Sequence, residues 1–370
     1  MNYYIDEHIP EEGKYNALSK ARQDVHDILE TNGFKRILVP TKTYDIDEEG
    51  MKGLSVKVKQ GVFIARNFSI WKRSIESVKR GDTVLVQYPP LNWTLLNMVI
   101  KNLKSRGAHV IAIVHDLDSI RHPSNRKLIK KWSYYEDVFA LKNFDRIIVH
   151  NAAMKLKMQK MGYKVSKLIT LKMFDYLMGE DLGDVSDRYA LDKPLVLAGN
   201  LNFDFGAKSL FLYVNEEDIG VSFNLYGSGF EEERAEFLTY DYKGAIDPDE
   251  VCDKIEGSFG LVWDGNSRYS CRGEWGEYLR ISNPHKFSMY IAAGIPVIVS
   301  RDAAIAPMVE KYRLGLVVSN LYEIKGAKEN LSESDYKKML DNTRVFAKAL
   351  RKGRFLEKAL DKALLEVEGI

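Results

Sequence analysis

The chain has 370 residues, a net charge of +2, 45% apolar and 29% charged residues, which allows two domains with ample core and excludes a disordered chain. The balanced charge carries no polyelectrolyte signature, so nucleic acid is not an expected partner. Two cysteines, Cys252 and Cys271, with no CxxC exclude a zinc cage and suit a reducing, cytoplasmic setting, and no run of about 18 apolar residues reads as a membrane span.

The first residues, MNYYIDEHIPEEGK, hold acids and no apolar run, so they do not read as a secretory signal. Tyr15 to Thr31 has helical spacing (Ala17, Ala21, Val25, Ile28, Leu29) and stops at Asn32-Gly33. Phe34 to Pro40 reads as a buried strand. Ser69 to Lys79 reads as a helix, and Gly81-Asp82 turns into the strand TVLVQYP. A helix is predicted over Trp93 to Ser105, then the strand HVIAIVH, a helix over Tyr134 to Asn143, and the strand DRIIVH. Asn151 is placed to cap a helix running to Met161-Gly162, followed by the strand KLITL.

Residues 174–193 lose periodicity and gain Asp and Gly, which marks a linker. A second series follows: PLVLAG, SFNLYG, a helix opened by Asp247-Pro248, FGLVW, a helix opened at Pro284, PVIVS and GLVVS, then a helical tail from about Ser332 to Glu368. Strands alternating with helices twice over predict two parallel sheets, each covered by helices on both faces. The expected domains are residues 1–175, residues 190–345, and a final segment, 346–370.

The loop after the strand ending at Pro40, PTKTYDIDEEGMKG, lacks GxGxxG, which argues against a dehydrogenase. His115 and Asp116 end a predicted strand, and carboxyl ends of parallel strands face a cleft. With Asp118, Arg121 and His122 they offer a general base for an acceptor hydroxyl; capping a helix is the plainer reading of each residue alone. Gly199-Asn200 and the run Tyr226-Gly-Ser-Gly end two further strands. There glycine lets backbone approach a phosphate, Asn can bond an oxygen, and Tyr226 can border a base; both are also ordinary turns.

The stretch from Phe259 to Asn320 is the most telling. A strand enters a polar Gly-rich loop through Gly273 and Gly276, and the loop opens a helix at Asn283-Pro284-His285-Lys286 that closes at Gly294. Lys286 in a first turn opposes the helix dipole unless an anion compensates, which points to a diphosphate; a solvated lysine is the alternative. Asp264, Glu274 and Glu277 precede that helix and can grip sugar hydroxyls or stay solvated.

The run GLVWDG…GEYLRISNPHKFSMYIAAGIPVIV resembles the C-terminal signature of bacterial galactofuranosyltransferases of polysaccharide biosynthesis, relatives of the glucosyltransferases that extend glycans on streptococcal adhesins. The resemblance is densest over Phe259–Ser319. VLVQYP, VIAIVHDLDSIR and DRIIVHN extend it more loosely, and it is weak before Gly81. It implies an α/β fold of the GT-B kind: two Rossmann-like parallel-sheet domains facing across a cleft, with the last helix crossing back to the first. It also implies a UDP-sugar donor held by the C-terminal domain, a glycan acceptor held by the N-terminal one, and no metal or other cofactor. Asp116-Leu-Asp118 has the letters of a metal motif but stands in the acceptor half. By position, Lys286 would contact the diphosphate, Asn283 and His285 would line that turn, and Tyr226 would border the nucleotide. Gly199 and Asn200 would form the cleft floor, and His115 and Asp116 would face the acceptor. The segment near Tyr15–Asp24 would close over it. A lipid-linked acceptor would bring the protein loosely to the inner membrane face, and a homo-oligomer is left open. Galactofuranose is the favoured sugar. UDP-glucose, a non-transferring nucleotide-sugar enzyme and a non-catalytic glycan-binding subunit are the competing readings.

Overall fold

In the computed structural model of the chain, the described residues are 1–8, 17–40, 56–90, 93–121, 137–179, 182–183, 187–202, 219–235, 238–265 and 267–368. Among them, two six-stranded sheets form, and every strand pair is parallel. The first holds β1 (Asn2–His8), β2 (Lys35–Pro40), β3 (Thr83–Tyr88), β4 (His109–Val114), β5 (Arg146–Val149) and β6 (Leu168–Thr170), ordered β2-β1-β3-β4-β5-β6. The second holds β7 (Leu195–Ala198), β8 (Ser222–Tyr226), β9 (Thr239–Gly244), β10 (Gly260–Val262), β11 (Val297–Ser300) and β12 (Gly315–Val318), ordered β12-β11-β10-β7-β8-β9. Both are doubly wound sheets, the architecture of two Rossmann-like domains.

Helices α1 (Ala17–Thr31), α2 (Val56–Ser74), α3 (Trp93–Ser105), α4 (Asp118–Arg121), α5 (residues 137–142) and α6 (Ala152–Lys160) accompany the first sheet. The second series contributes α7 (Val251–Lys254), α8 (Gly273–Leu279), α9 (His285–Ala293), α10 (Ala306–Tyr312), α11 (Glu323–Glu329) and α12 (Glu333–Leu350). The last helix, α13 (Arg354–Glu368), sets Leu356, Ala359, Leu360 and Ala363, an i, i+3, i+4, i+7 stripe, against Ile111, Ile113, Ile148 and Ile169 of the first sheet. Each leucine buried this way contributes about 2 kcal/mol. The same face receives Val25, Ile28 and Leu29 of α1, so the first sheet is closed by the two ends of the chain together.

Several elements depart from the sequence reading, these among them. The opening residues form β1, with Asp6 and Glu7 buried, because Arg36 of β2 pairs with Asp6 and His26 of α1 lies 3.6 Å from it. Pairing with Arg36 offsets the cost of burying the Asp6 carboxylate. The β2 strand is an edge, not a buried strand; Leu38 is 52% exposed. The helix expected over 69–79 spans Val56–Ser74 instead. The supposed loop through Gly273 and Gly276 contains α8, which Trp275 and Tyr278 anchor onto the first domain. The PTKTYDIDEEGMKG loop lies outside the described residues. No described helix is long and apolar enough to cross a membrane.

Candidate active site

Parallel strands deliver their carboxyl ends to one edge, and the two sheets turn those edges toward each other across a cleft of about 580 Å³. The second sheet reverses direction between β7 and β10, so the residues following these strands stand at a topological switch point. Gly199 and Asn200 follow β7, and Asp264 follows β10; all three line the cleft.

Two glycine turns form part of the second-domain wall. Gly199 (φ 129°) and Gly227 (φ 152°) lie side by side, and the Gly199 N–H donates to the Tyr226 carbonyl at 2.9 Å. A Cβ on Gly227 would overlap the Gly199 carbonyl oxygen, so the approach requires glycine. The Asn200 Oδ1 accepts from Asn202 N at 2.8 Å, leaving its amide NH2 as the group it can offer a ligand. Tyr226 lines the wall but is 4% exposed, and its hydroxyl accepts from Glu256 N.

Helix α9 is held on the sheet by Tyr290, whose hydroxyl accepts from Ala198 N at 2.8 Å. Its first residue is His285 and its cap is Pro284, with no side-chain cap bond, so Asn283 stands just before the cap. Lys286 is the second residue of the helix, and its Cε lies 3.8 Å from where a Gly199 Cβ would stand. A cation, the amides of a helix start and two glycine turns therefore converge on one patch. Asp264 is 7% exposed, and its Oδ1 has no hydrogen-bond partner among the described residues. A buried carboxylate oxygen in that state is a vacancy for a donor group of a ligand.

The first-domain wall is made of side chains. His115 is buried after β4; its Nε2 lies 2.6 Å from Gln87 Oε1, whose own NH2 donates to Arg22 O. Nε2 therefore carries the hydrogen and Nδ1 the lone pair. Burial, with Arg22, His150 and His285 nearby, holds the His115 pKa well below the usual histidine range, so the ring is neutral at neutral pH. Asp116 pairs with Arg121, whose guanidinium lies 5.3 Å from the Trp275 ring centroid on α8. The Tyr278 hydroxyl accepts from Leu117 N at 3.0 Å and bonds Asp116. Three histidines, His115, His150 and His285, surround Phe174, with ring centroids 5.6, 4.8 and 6.4 Å away.

Of the residues singled out in the sequence, His115, Asp116, Gly199, Asn200, Tyr226, Asp264, Asn283, His285 and Lys286 line this one cleft. Glu277 does not. Its side chain is 61% exposed and lies 3.7 Å from Arg280, because α8 turns its Trp275 and Tyr278 face inward. The Glu274 side chain and His122 lie outside the described residues. From Ala17 on, the segment expected to close over the acceptor belongs to α1, with Ala21 on the cleft; Tyr15 and Asn16 lie outside the described residues. Sequence reasoning passed over His150, Phe174, Tyr176 and Trp275. The one available signal was that His150, like His115, directly follows a predicted strand.

Two matches cover most of the chain: the N-terminal domain of the family described as glucosyltransferase 3-like over residues 2–173, and its C-terminal domain over residues 195–363. The chain belongs to the glucosyltransferase 3-like family. It is 27% identical over 319 residues to the beta-1,6-galactofuranosyltransferase WbbI of Escherichia coli K12, covering 80% of this chain and 88% of that one. To glucosyltransferase 3 of Streptococcus gordonii it is 29% identical over 296 residues, covering 79% and 81%. Its fold superposes on sucrose-phosphate synthase of Thermosynechococcus elongatus with a TM-score of 0.63 at 14% identity, covering 99% of this chain and 98% of that one. Family and fold make the chain a glycosyltransferase of the GT-B kind.

Proposed function

We propose that the protein transfers a hexose, with galactofuranose favoured over glucose, from a UDP-sugar to a glycan acceptor in cell-surface polysaccharide synthesis. The observation that carries this reading is the placement of Lys286. It opens α9 over the Gly199 turn, where a diphosphate would meet a cation, helix amides and glycine backbone. The acceptor hydroxyl attacks the anomeric carbon, and the bond to UDP breaks. Lys286 and the α9 amides then stabilise the charge developing on the departing diphosphate without a metal ion.

Asp264 supplies the hydrogen-bond acceptor for a sugar hydroxyl, through the oxygen that lacks a partner among the described residues. His115 orients the acceptor hydroxyl through Nδ1, since burial keeps the ring from holding a proton. The proton then passes to the Asp116 carboxylate, which Arg121 and Tyr278 hold in place. Galactofuranose is supported by the similarity to WbbI; the streptococcal relative, named a glucosyltransferase, makes UDP-glucose the alternative donor. A lipid-linked acceptor would place the enzyme loosely at the inner membrane face.

A screen of UDP-sugars against a glycan acceptor, read by mass spectrometry, tests the proposal. The expected result is one added hexose from UDP-galactofuranose. Transfer only from UDP-glucose corrects the sugar, and transfer only from another nucleotide's sugars overturns the donor. UDP that neither binds nor is released removes the whole reading.

A further inference from the structure

His150 follows β5, is 1% exposed and connects the two walls of the cleft. Its Nε2 lies 2.9 Å from the His115 carbonyl and 3.1 Å from that of Val114. Carbonyls only accept, so Nε2 carries the hydrogen. Its Nδ1 lies 2.9 Å from the backbone nitrogen of Asn283, which only donates, so Nδ1 carries the lone pair. One neutral tautomer satisfies both ends and the other satisfies neither. Protonation would set an N–H against the Asn283 N–H. Burial favours the same neutral state, pushing the pKa down to about 4. The titratable neighbours, His115 and His285, stand around the shared Phe174 ring.

The surrounding bonds fix Asn283 as firmly. Its NH2 donates to the His150 carbonyl at 3.0 Å and the Lys172 carbonyl at 2.7 Å, while its Oδ1 accepts from Asn151 at 2.7 Å. Lys172 holds a left-handed φ of 78°, rare for a residue with a side chain, and donates its own N–H to the His150 carbonyl. Such a backbone persists where its surroundings over-determine it. Asn283 stands three residues before Lys286, and His115 stands at the other end of the His150 ring.

We infer that His150 is a positioning residue of the transfer reaction: its neutral ring sets the spacing between the His115 strand end, which orients the acceptor, and the α9 start, which holds the diphosphate. The inference rests on the transferase reading above. Nucleophile and leaving group sit on different domains, and a misplacement of about 1 Å between them can cost on the order of 100-fold in rate.

His150→Phe fills the space but removes both bonds, whereas His150→Gln keeps an oxygen to accept from Asn283 and an NH2 to reach the His115 carbonyl. In His150→Phe, kcat should fall at least about tenfold while the Kd for UDP stays within about threefold, because the proposed diphosphate contacts belong to the second domain. His150→Gln should recover most of the loss. A merely space-filling residue would give equal losses in both variants, or a loss of UDP affinity in step with kcat. Wild-type kcat in His150→Phe, or no recovery in His150→Gln, overturns the inference and leaves the transferase reading intact. A wild-type protein that transfers no sugar sinks both. A readout free of activity is the nitrogen NMR spectrum of histidine-labelled protein at pH 7. A His150 ring found protonated, or hydrogen-bearing at Nδ1, also overturns the inference.

Discussion

The two walls of the cleft meet the same ligand problem with different materials. Around the start of α9 the second-domain wall offers backbone, in two glycine turns and the helix amides, together with Lys286. The first-domain wall offers side chains: buried, neutral His115, the half-buried Asp116–Arg121 pair and the buried Phe174 ring. Backbone amides are fixed by the helix and the strand ends, and they suit a group common to many donors, the diphosphate. Side chains can be varied one at a time, which suits the part of the reaction that distinguishes acceptors.

Breaking the second wall should have the largest effect. Lys286→Ala is expected to lower transfer by about 100-fold or more, as for loss of one preorganised electrostatic contact, with the far-ultraviolet circular dichroism unchanged. Turnover with purified donor and acceptor measures it, and near-wild-type turnover would remove Lys286 from its role. At the junction of the two walls, Asn283→Asp replaces an NH2 facing two carbonyls with a carboxylate oxygen. It should destabilise by about 3 kcal/mol or more, whereas Asn283→Ala should cost about 1–3 kcal/mol; urea unfolding of both variants checks the order. If the alanine variant is the worse of the two, the amide orientation is wrong. Gly227→Ala should cost about 1–3 kcal/mol and weaken UDP binding in calorimetry, because the added Cβ must push the Gly199 carbonyl aside.

These differences also explain what could be read from the chain beforehand. The second wall follows local rules that short stretches display: a strand ending in Gly-Asn, another in Gly-Ser-Gly, and Pro-His-Lys opening a helix. Gly199, Asn200, Tyr226, His285 and Lys286 stand on the cleft for that reason. The first wall depends on contacts between distant segments. His150 gains its meaning from Asn283, 133 positions away in sequence, and no periodicity signals that. The strand β1 was hidden because the charge of Asp6 is neutralised by Arg36 from another element. Strand β9 escaped because its exposed edge position has no buried face to impose an apolar alternation. Glu277 failed for the opposite reason. Its neighbours Trp275 and Tyr278 decide which face of α8 turns inward, and that choice is made by packing against the first domain.

The smallest expected effect is one of pH and tests the seam behind the walls. Asp175 accepts from Phe355 N and Leu356 N at the start of α13, and burial pushes its pKa up to about 7 from 3.8. Asp24 and Glu357 push it in the same direction. A carboxyl with a raised folded pKa binds its proton more tightly when folded. Its contribution to stability is therefore greatest below about pH 4 and declines as pH rises through about 7. Asp175→Asn should flatten the fall in unfolding free energy between about pH 4 and pH 7, and an unchanged slope would show that Asp175 is not its source.

The return of α13 to the first sheet has a mechanical consequence. The chain passes between the domains near residue 175 and again near residue 352, and those crossings are tied to each other: Tyr176 N donates to the Leu350 carbonyl at 3.3 Å, beside the Asp175 bonds. Tension applied between β1 and α13 would load only one lobe, since both are fastened there. The other lobe hangs from a double thread, like a pendant on a looped cord, and would feel no tension until its carrier gave way.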